Sequence, residues 1–212
     1  RVMQIMTDTT VIINNVTISN GTSNIGGGIF AVGNVTLNNV NVQSAYYGVT
    51  STATGSLFSA TNVSVTNTSY GFTINGGTPT LTSVSVSGGS TCLSIANSAA
   101  PTILSSTFQN ASGGISYYTT AAGLTSSITN TLVAGNSSYG ILAQAAAGSL
   151  TVNLTNDTVH LNGSKGVWAY ASPGASTTMN VKNSIVTQHA YGIYRDSGGG
   201  TQTMTTTYSD VW

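Results

Sequence analysis

The residues that could carry acid–base or metal chemistry are few, and most lie near the C-terminal end of the chain. The 212-residue sequence has four Asp and no Glu, four Lys and Arg, and two His. Those between residues 150 and 200 are Asp157, His160, Lys165, Lys182, His189, Arg195 and Asp196. Glycosidases need two carboxylates about 5–9.5 Å apart, and calcium takes roughly six to eight oxygen ligands. Asp157 and Asp196 are 39 residues apart, so the sequence predicts no catalytic residue, no metal site and no cofactor.

Aromatic residues in the same segment predict a ligand-binding surface. The candidate binding residues are Trp168, Tyr170 and Tyr194, with Lys165 and Asp196 nearby. Exposed aromatic patches usually mark contacts, and flat rings with a few polar groups suit sugar rings. The alternative is ordinary surface pairing of aromatic side chains, which contributes about 0.2–1 kcal/mol per pair. Either interpretation depends on the elements that hold these residues.

Composition restricts both the fold class and the partners. Only 4% of residues are charged, against about 25% in ordinary domains, and the net charge is zero. This balance argues against a nucleic-acid partner. No apolar run approaches the roughly 18 residues that membrane insertion would need. There are 35 Thr, 29 Ser and 20 Asn, all poor helix formers, so the chain is predicted to be all-β.

A small residue followed by an apolar one recurs about every 23 residues, which predicts a stacked repeat. The small residues are Gly28, Gly48, Gly71, Cys92, Gly114, Gly140, Gly166 and Gly192. Between them, apolar and polar residues alternate, as in short strands. Such a coil buries its apolar face only by stacking on its neighbours. Cys92 is therefore predicted to be a small buried thiol, and Tyr47, Tyr70, Tyr139 and Tyr191, which precede four of the glycines, to stack at a turn.

A second column, in phase with the first, predicts a sharp bend in each coil. Its members are Asn15, Asn39, Asn62, Ser83, Ser106, Asn130, Asn156 and Asn183. Asn tolerates the left-handed conformation best after Gly, and stacked amides can form a hydrogen-bonded ladder. Ser83 and Ser106 are expected to weaken that ladder. An apolar residue lies two positions before each member of this column, and in the fifth coil that residue is Leu104. Leu104 is therefore expected to be in phase with the equivalent apolar residues of the other coils.

The repeat also predicts which polar residues are neighbours. Asp157 falls in register with Thr131 and Ser184, so its carboxylate is expected to bond to neighbouring hydroxyls. His160 and His189 occupy different columns and are predicted to be solvent-facing turn residues. If the apolar residue after each glycine points inward, Trp168 and Tyr194 point outward one coil apart.

Four segments carry a resemblance to a known family. IGGGIFAVGNVTLNNVNV, SYGFTINGG, NSIVTQHAYGIYRDSGGG and the closing TTTYSDVW resemble right-handed parallel β-helix repeat proteins, over about residues 11–212. The resemblance implies a right-handed parallel β-helix (β-solenoid) of about eight coils, with about 23 residues each. It also implies a secreted or surface-displayed chain. The family includes polysaccharide lyases and hydrolases as well as adhesin stalks.

Two functions follow as expectations for a single domain spanning residues 1–212. The first is an extracellular or cell-surface structural or adhesive solenoid that self-associates through its ends or through neighbouring solenoid coils. The second is a carbohydrate-active protein, either a polysaccharide-binding module or, if an enzyme, a polysaccharide lyase or glycoside hydrolase. The sparse ionisable residues favour the non-enzymatic alternative. The sequence begins at full apolar–polar alternation, which favours an excerpt of a longer β-helix.

Overall fold

The strands of this protein are short and evenly distributed. A computed structural model describes residues 1–52, 57–196 and 198–212. The first nine strands are β1 (Met3–Ile5), β2 (Thr10–Asn14), β3 (Thr17–Ser19), β4 (Ile29–Ala31), β5 (Asn34–Asn38), β6 (Asn41–Gln43), β7 (Tyr47–Ser51), β8 (Phe58–Thr61) and β9 (Ser64–Thr66). The next nine are β10 (Tyr70–Ile74), β11 (Thr80–Thr82), β12 (Ser85–Ser87), β13 (Thr91–Ala96), β14 (Thr102–Leu104), β15 (Thr107–Gln109), β16 (Gly113–Thr119), β17 (Leu124–Thr129) and β18 (Leu132–Ala134). The last nine are β19 (Tyr139–Ala145), β20 (Ser149–Thr155), β21 (Thr158–His160), β22 (Lys165–Ala171), β23 (Ser176–Lys182), β24 (Ile185–Thr187), β25 (Tyr191–Asp196), β26 (Thr201–Thr207) and β27 (Asp210–Val211).

Each strand pairs in parallel with the strand three places later in the chain, so the strands form three parallel sheets. Sheet 1 runs from β1 to β25, sheet 2 from β2 to β26, and sheet 3 from β3 to β27. Paired positions are 20 residues apart between Ile29 and Val49, and 26 apart between Ile141 and Val167. The longer coils gain their residues in sheets 1 and 2, where β19, β20, β22 and β23 have seven residues each. The architecture confirms the predicted parallel β-solenoid of about eight coils.

One apolar core runs along the inside of the coils. Sheet 1 contributes a column of buried side chains that includes Ile29, Phe72 and Ile115. Sheet 3 contributes a column that includes Val86 and Val159. The polar strand residues between these columns face outward, where each lies beside the equivalent residue of the next coil. Thr, Ser and Asn suit such columns because like charges stacked at about 4.8 Å would repel each other.

The recurring glycines lie where the neighbouring coil leaves no room for a Cβ atom. A Cβ at Gly140 would lie 2.6 Å from the carbonyl oxygen of Gly166 and 2.7 Å from Cγ1 of Val159. Cys92 occupies the same column as these glycines. The residue in the following strand of sheet 3, which is Val159 for Gly140, is Phe108 for Cys92. The thiol is fully buried, as predicted, and burial raises its pKa to about 12.

The asparagine column forms the bend between sheets 2 and 3. Asn39 and Asn62 have φ angles of 55° and 54°, in the left-handed region that Asn tolerates. The Asn39 Nδ2 donates to the Asn15 Oδ1 at 2.9 Å, and the Asn62 Nδ2 donates to the Asn39 Oδ1 at 2.7 Å. The predicted bend and amide ladder are therefore present in the first coils.

The prediction for the fifth coil was wrong by one residue. The left-handed residue there is Ser105, with φ 49°, and Ser106 is buried. Ile103 fills the core position, so Leu104 faces outward. Two adjacent serines match the sequence pattern equally well, and the structure adopts the register in which Ile103 is buried in the core.

Candidate functional site

The predicted aromatic residues lie on the outer face of sheet 1, near its C-terminal edge. Trp168 in β22 and Tyr194 in β25 are paired positions. Their ring centroids are 6.1 Å apart, and the ring planes meet at 69°. Tyr139 in β19 adds a third ring, 6.3 Å and 73° from Trp168. Edge-to-face contact is a favoured geometry of aromatic pairs, so the rings form a packed cluster rather than a flat stack.

Lys165 covers this cluster. Its Nζ lies 3.8 Å from the centroid of the Trp168 ring and 4.9 Å from that of the Tyr194 ring. Such cation–π contacts contribute about 0.5–1 kcal/mol at exposed sites. The Trp168 Nε1 is buried and has no hydrogen-bond partner within the described residues. The cluster therefore combines a cation, aromatic rings and one unpaired indole donor.

Tyr170 and Asp196 form the next outward pair of the same two strands. Gly198 lies against Tyr170, because a Cβ at Gly198 would be 2.7 Å from the Tyr170 Cε2. Strands β22 and β25 thus carry all five predicted ligand-binding residues on one face. Their role in binding a ligand stays a prediction.

The tyrosine column stacks only in its first half. The rings of Tyr47 and Tyr70 lie 4.6 Å apart with an interplanar angle of 12°, which confirms stacking for this pair. Burial raises the pKa of the Tyr47 hydroxyl, and the Tyr70 hydroxyl raises it further. Further along the sheet, Lys165 takes the place between Tyr139 and Tyr191, so those two rings are separated.

Comparison with known proteins agrees with the coil geometry. The family model described as right handed beta helix region matches residues 28–178. The chain belongs to the right-handed β-helix family. No curated protein and no solved structure matches it significantly. Family membership establishes the architecture of this β-helix but not its function, because one fold can carry many different functional sites.

Asp157 belongs to a buried hydrogen-bond ladder along the bend between sheets 2 and 3. Its Oδ1 accepts from the Thr131 backbone N–H at 2.8 Å, and its Oδ2 accepts from the Thr155 N–H at 2.9 Å. Its own N–H donates to the Ser184 Oγ at 3.0 Å. The predicted register with Thr131 and Ser184 is confirmed, but the carboxylate bonds to backbone amides rather than to hydroxyls.

Burial and hydrogen bonding act in opposite directions on Asp157. Desolvation raises the pKa of this carboxyl to about 7, while the N–H groups of Thr131 and Thr155 partly lower it. The side chain is 1% exposed. Asp196 lies on the outer face of sheet 1, away from the bend that holds Asp157. The two carboxylates therefore do not form a glycosidase pair.

The prediction that both histidines are solvent-facing turn residues was only partly correct. His160 ends strand β21 rather than lying in a turn, although it is on the outward side of that strand. His189 does lie in a turn, but its ring points to the backbone of a neighbouring coil. It is half-buried: its Nδ1 accepts from the Asn162 N–H at 3.0 Å, and its Nε2 lies 3.1 Å from the Val159 carbonyl oxygen. His189 therefore caps a column of buried polar groups.

Sequence reasoning missed this column of buried amides. The Asn136 Oδ1 accepts from the Ala111 N–H at 3.0 Å, and the Asn136 Nδ2 donates to the Asn162 Oδ1 at 2.7 Å. Both asparagines are fully buried. The sequence does contain a signal for this column, which is a fixed spacing from the buried valine of sheet 3. Asn136 follows Val133 by three residues, just as Asn162 follows Val159. The column ties the turns between sheets 3 and 1 together across coils.

Ranges 1–52, 57–196 and 198–212 contain no group of three or more His, Cys, Asp or Glu that could hold a metal ion. The same ranges contain no helix long and apolar enough to cross a membrane.

Proposed function

We propose that this β-helix is an extracellular or cell-surface structural or adhesive protein that associates end to end, or with further solenoid coils. Its rod is built from three nine-stranded parallel sheets. Proteins usually protect the edges of such sheets with charges, prolines or covering elements. Four of the six edge strands, β1, β2, β3 and β26, contain no charged residue and no proline. The other two do carry charges, Arg195 and Asp196 in β25 and Asp210 in β27.

The observation that supports this proposal best is the open edge at β26. Met179 in β23 is fully buried, whereas its partner Met204 in β26 is only partly buried although it packs against the core. A further strand from a second copy would pair with the backbone of β26 and cover Met204. Burial of apolar area contributes about 25 cal/mol per Å², and each new strand also pairs the edge amides.

The test uses an inward charge at this edge. Met204→Lys places an ammonium where a second copy would stack, so we expect concentration-dependent association to be lost. Thr203→Lys adds the same charge to the outward side of β26 and is the matched control. Sedimentation velocity and electron microscopy at increasing protein concentration would measure the assembly. A wild-type chain that stays monomeric at all concentrations, or equal association of both variants, would contradict the proposal.

The second candidate function is polysaccharide binding at the aromatic cluster. The supporting observation is the unpaired Trp168 Nε1 beside the Lys165 ammonium, since a glycan hydroxyl could accept from the indole. In this function Tyr194 and Tyr170 extend the contact surface along the sheet, and Asp196 accepts from sugar hydroxyls.

A glycan array probed with the wild-type chain and two tryptophan variants tests this function. We expect Trp168→Ala to abolish binding. Trp212→Ala removes the other tryptophan, which is 71% exposed and lies outside the cluster, and should bind as the wild type does. Retention of binding by Trp168→Ala would exclude the cluster as the glycan site.

A further inference from the structure

A separate concave site lies on the outer face of sheet 1, towards the N-terminal end. Its volume is about 310 Å³, at the small end of ligand pockets. The lining residues are Asn24, Ile25, Tyr47, Thr50, Thr52, Thr73 and Asn75. Strands β7 and β10 form the floor, and the turn between β3 and β4 forms a wall. All seven lining side chains are uncharged, so the groove suits a neutral ligand of about one ring.

Two hydroxyls in the floor lack partners. The Thr50 Oγ1 and the Thr73 Oγ1 are buried and make no hydrogen bond with any described residue. Thr50 is only 3% exposed. Buried hydroxyls are nearly always paired in proteins, so these two point to a ligand. Thr50 and Thr73 are paired positions of neighbouring strands, about 4.8 Å apart, which lets them bond two hydroxyls of one ring.

The walls add an aromatic surface and two amides. The Tyr47 ring stacks on Tyr70 at 4.6 Å and contacts the Tyr46 ring edge to face at 5.3 Å, and it also lines the groove. Asn24 and Asn75 each supply a donor and an acceptor. An aromatic face combined with hydroxyls and amides complements a ring that carries C–H groups on its faces and hydroxyls at its edge.

We propose that this groove binds one neutral sugar ring, with Tyr47 against the face of the ring and Thr50 and Thr73 bonded to its hydroxyls. The ring is either a free monosaccharide or the terminal unit of a glycan, since both offer the same chemistry. The site is separate from the Trp168 cluster. The proposal therefore goes beyond the polysaccharide binding proposed for that cluster and does not depend on it.

Titration with neutral sugars tests the groove. The probes are glucose, galactose, mannose and N-acetylglucosamine, each as the free monosaccharide and as the non-reducing end of an oligosaccharide. We expect at least one to bind with a Kd of about 1 mM or tighter, measured by calorimetry and saturation-transfer NMR. Thr50→Val preserves the shape and removes one hydroxyl, and should weaken binding about tenfold or more. If Thr50→Val weakens the binding of the free monosaccharide and of the oligosaccharide equally, the groove is a monosaccharide site. If only the oligosaccharide binds to the wild type, the groove is a site for a glycan terminus.

Matched variants keep the proposal falsifiable. Thr107→Val makes the same change on the outer face of sheet 3 and should bind as the wild type does. Thr73→Val repeats the test if Thr50→Val alters the circular-dichroism spectrum. No binding of any probe, or binding unchanged in both groove variants, would overturn the proposal. Binding lost in Trp168→Ala but kept in Thr50→Val would also overturn it, while supporting the aromatic cluster.

Discussion

Replacing Asp157 with serine should remove a pH dependence from the stability of this β-helix. Ser184 occupies the same place one coil later, where its Oγ accepts from the Asp157 N–H and donates to the Lys182 carbonyl oxygen at 2.8 Å. Ser106 makes the equivalent two bonds in an earlier coil. A serine in place of Asp157 would therefore still accept from the Thr131 N–H, so the ladder persists without an ionisable group.

The magnitude follows from the pKa of Asp157. Burial raises it from 3.8 to about 7 in the folded chain, a difference of about three units, and each unit corresponds to about 1.4 kcal/mol. The folded state thus binds this proton more tightly than the unfolded state does. The stabilisation is fully present below about pH 4 and is lost as the pH rises through about 7. It amounts to about 4 kcal/mol for a fully buried carboxyl.

Urea unfolding at about pH 4 and about pH 8 measures this effect. The free energy of unfolding of the wild type, minus that of Asp157→Ser, should fall by about 4 kcal/mol across this range. Contributions from all other ionisable groups cancel in the difference, because both chains contain them. Asp157→Val is the control for the ladder: it leaves the Thr131 N–H without the acceptor that serine supplies, so it should be less stable than Asp157→Ser by about 1–3 kcal/mol at both pH values. A difference that stays constant, or rises with pH, would refute the reasoning.

Three further predictions concern the interior of the coils. Gly140→Ala forces its methyl group against the Gly166 carbonyl and should cost about 1–3 kcal/mol, seen as a Tm lower by about 2–4 °C per kcal/mol; an unchanged Tm would contradict the crowding. Asn136→Ala leaves the Ala111 N–H unpaired and should lower the free energy of unfolding in urea by about 1–3 kcal/mol or more. An unchanged free energy of unfolding would mean that the column of buried amides does not stabilise the fold. The Cys92 thiol, with a pKa raised to about 12, should react with a disulfide reagent at about pH 8 only after denaturation; rapid labelling of the native chain would show that the thiol is accessible.

The repeat made the backbone architecture predictable from sequence. In a stacked coil each residue lies beside its own equivalent, so crowding at Gly48 and the left-handed bend at Asn39 recur at a fixed period. Inward and outward faces follow from that period, which placed Trp168 beside Tyr194 correctly. The bend predicted at Ser106 lies instead at Ser105, because either serine fits the repeat pattern. Only the packing of Ile103 against the core distinguishes the two registers.

The chemistry of the two candidate sites depended on the tertiary structure. The alternation of residues predicts that Thr50 faces outward, and a turn more than 20 residues earlier, around Ile25, encloses the groove above it. Lys165 covers the Trp168 ring because its flexible side chain reaches over two strands, and His189 folds back onto Asn162. Strand positions repeat because hydrogen bonding between coils imposes a register. Turns and long side chains have no such constraint, so their positions are decided by packing in three dimensions.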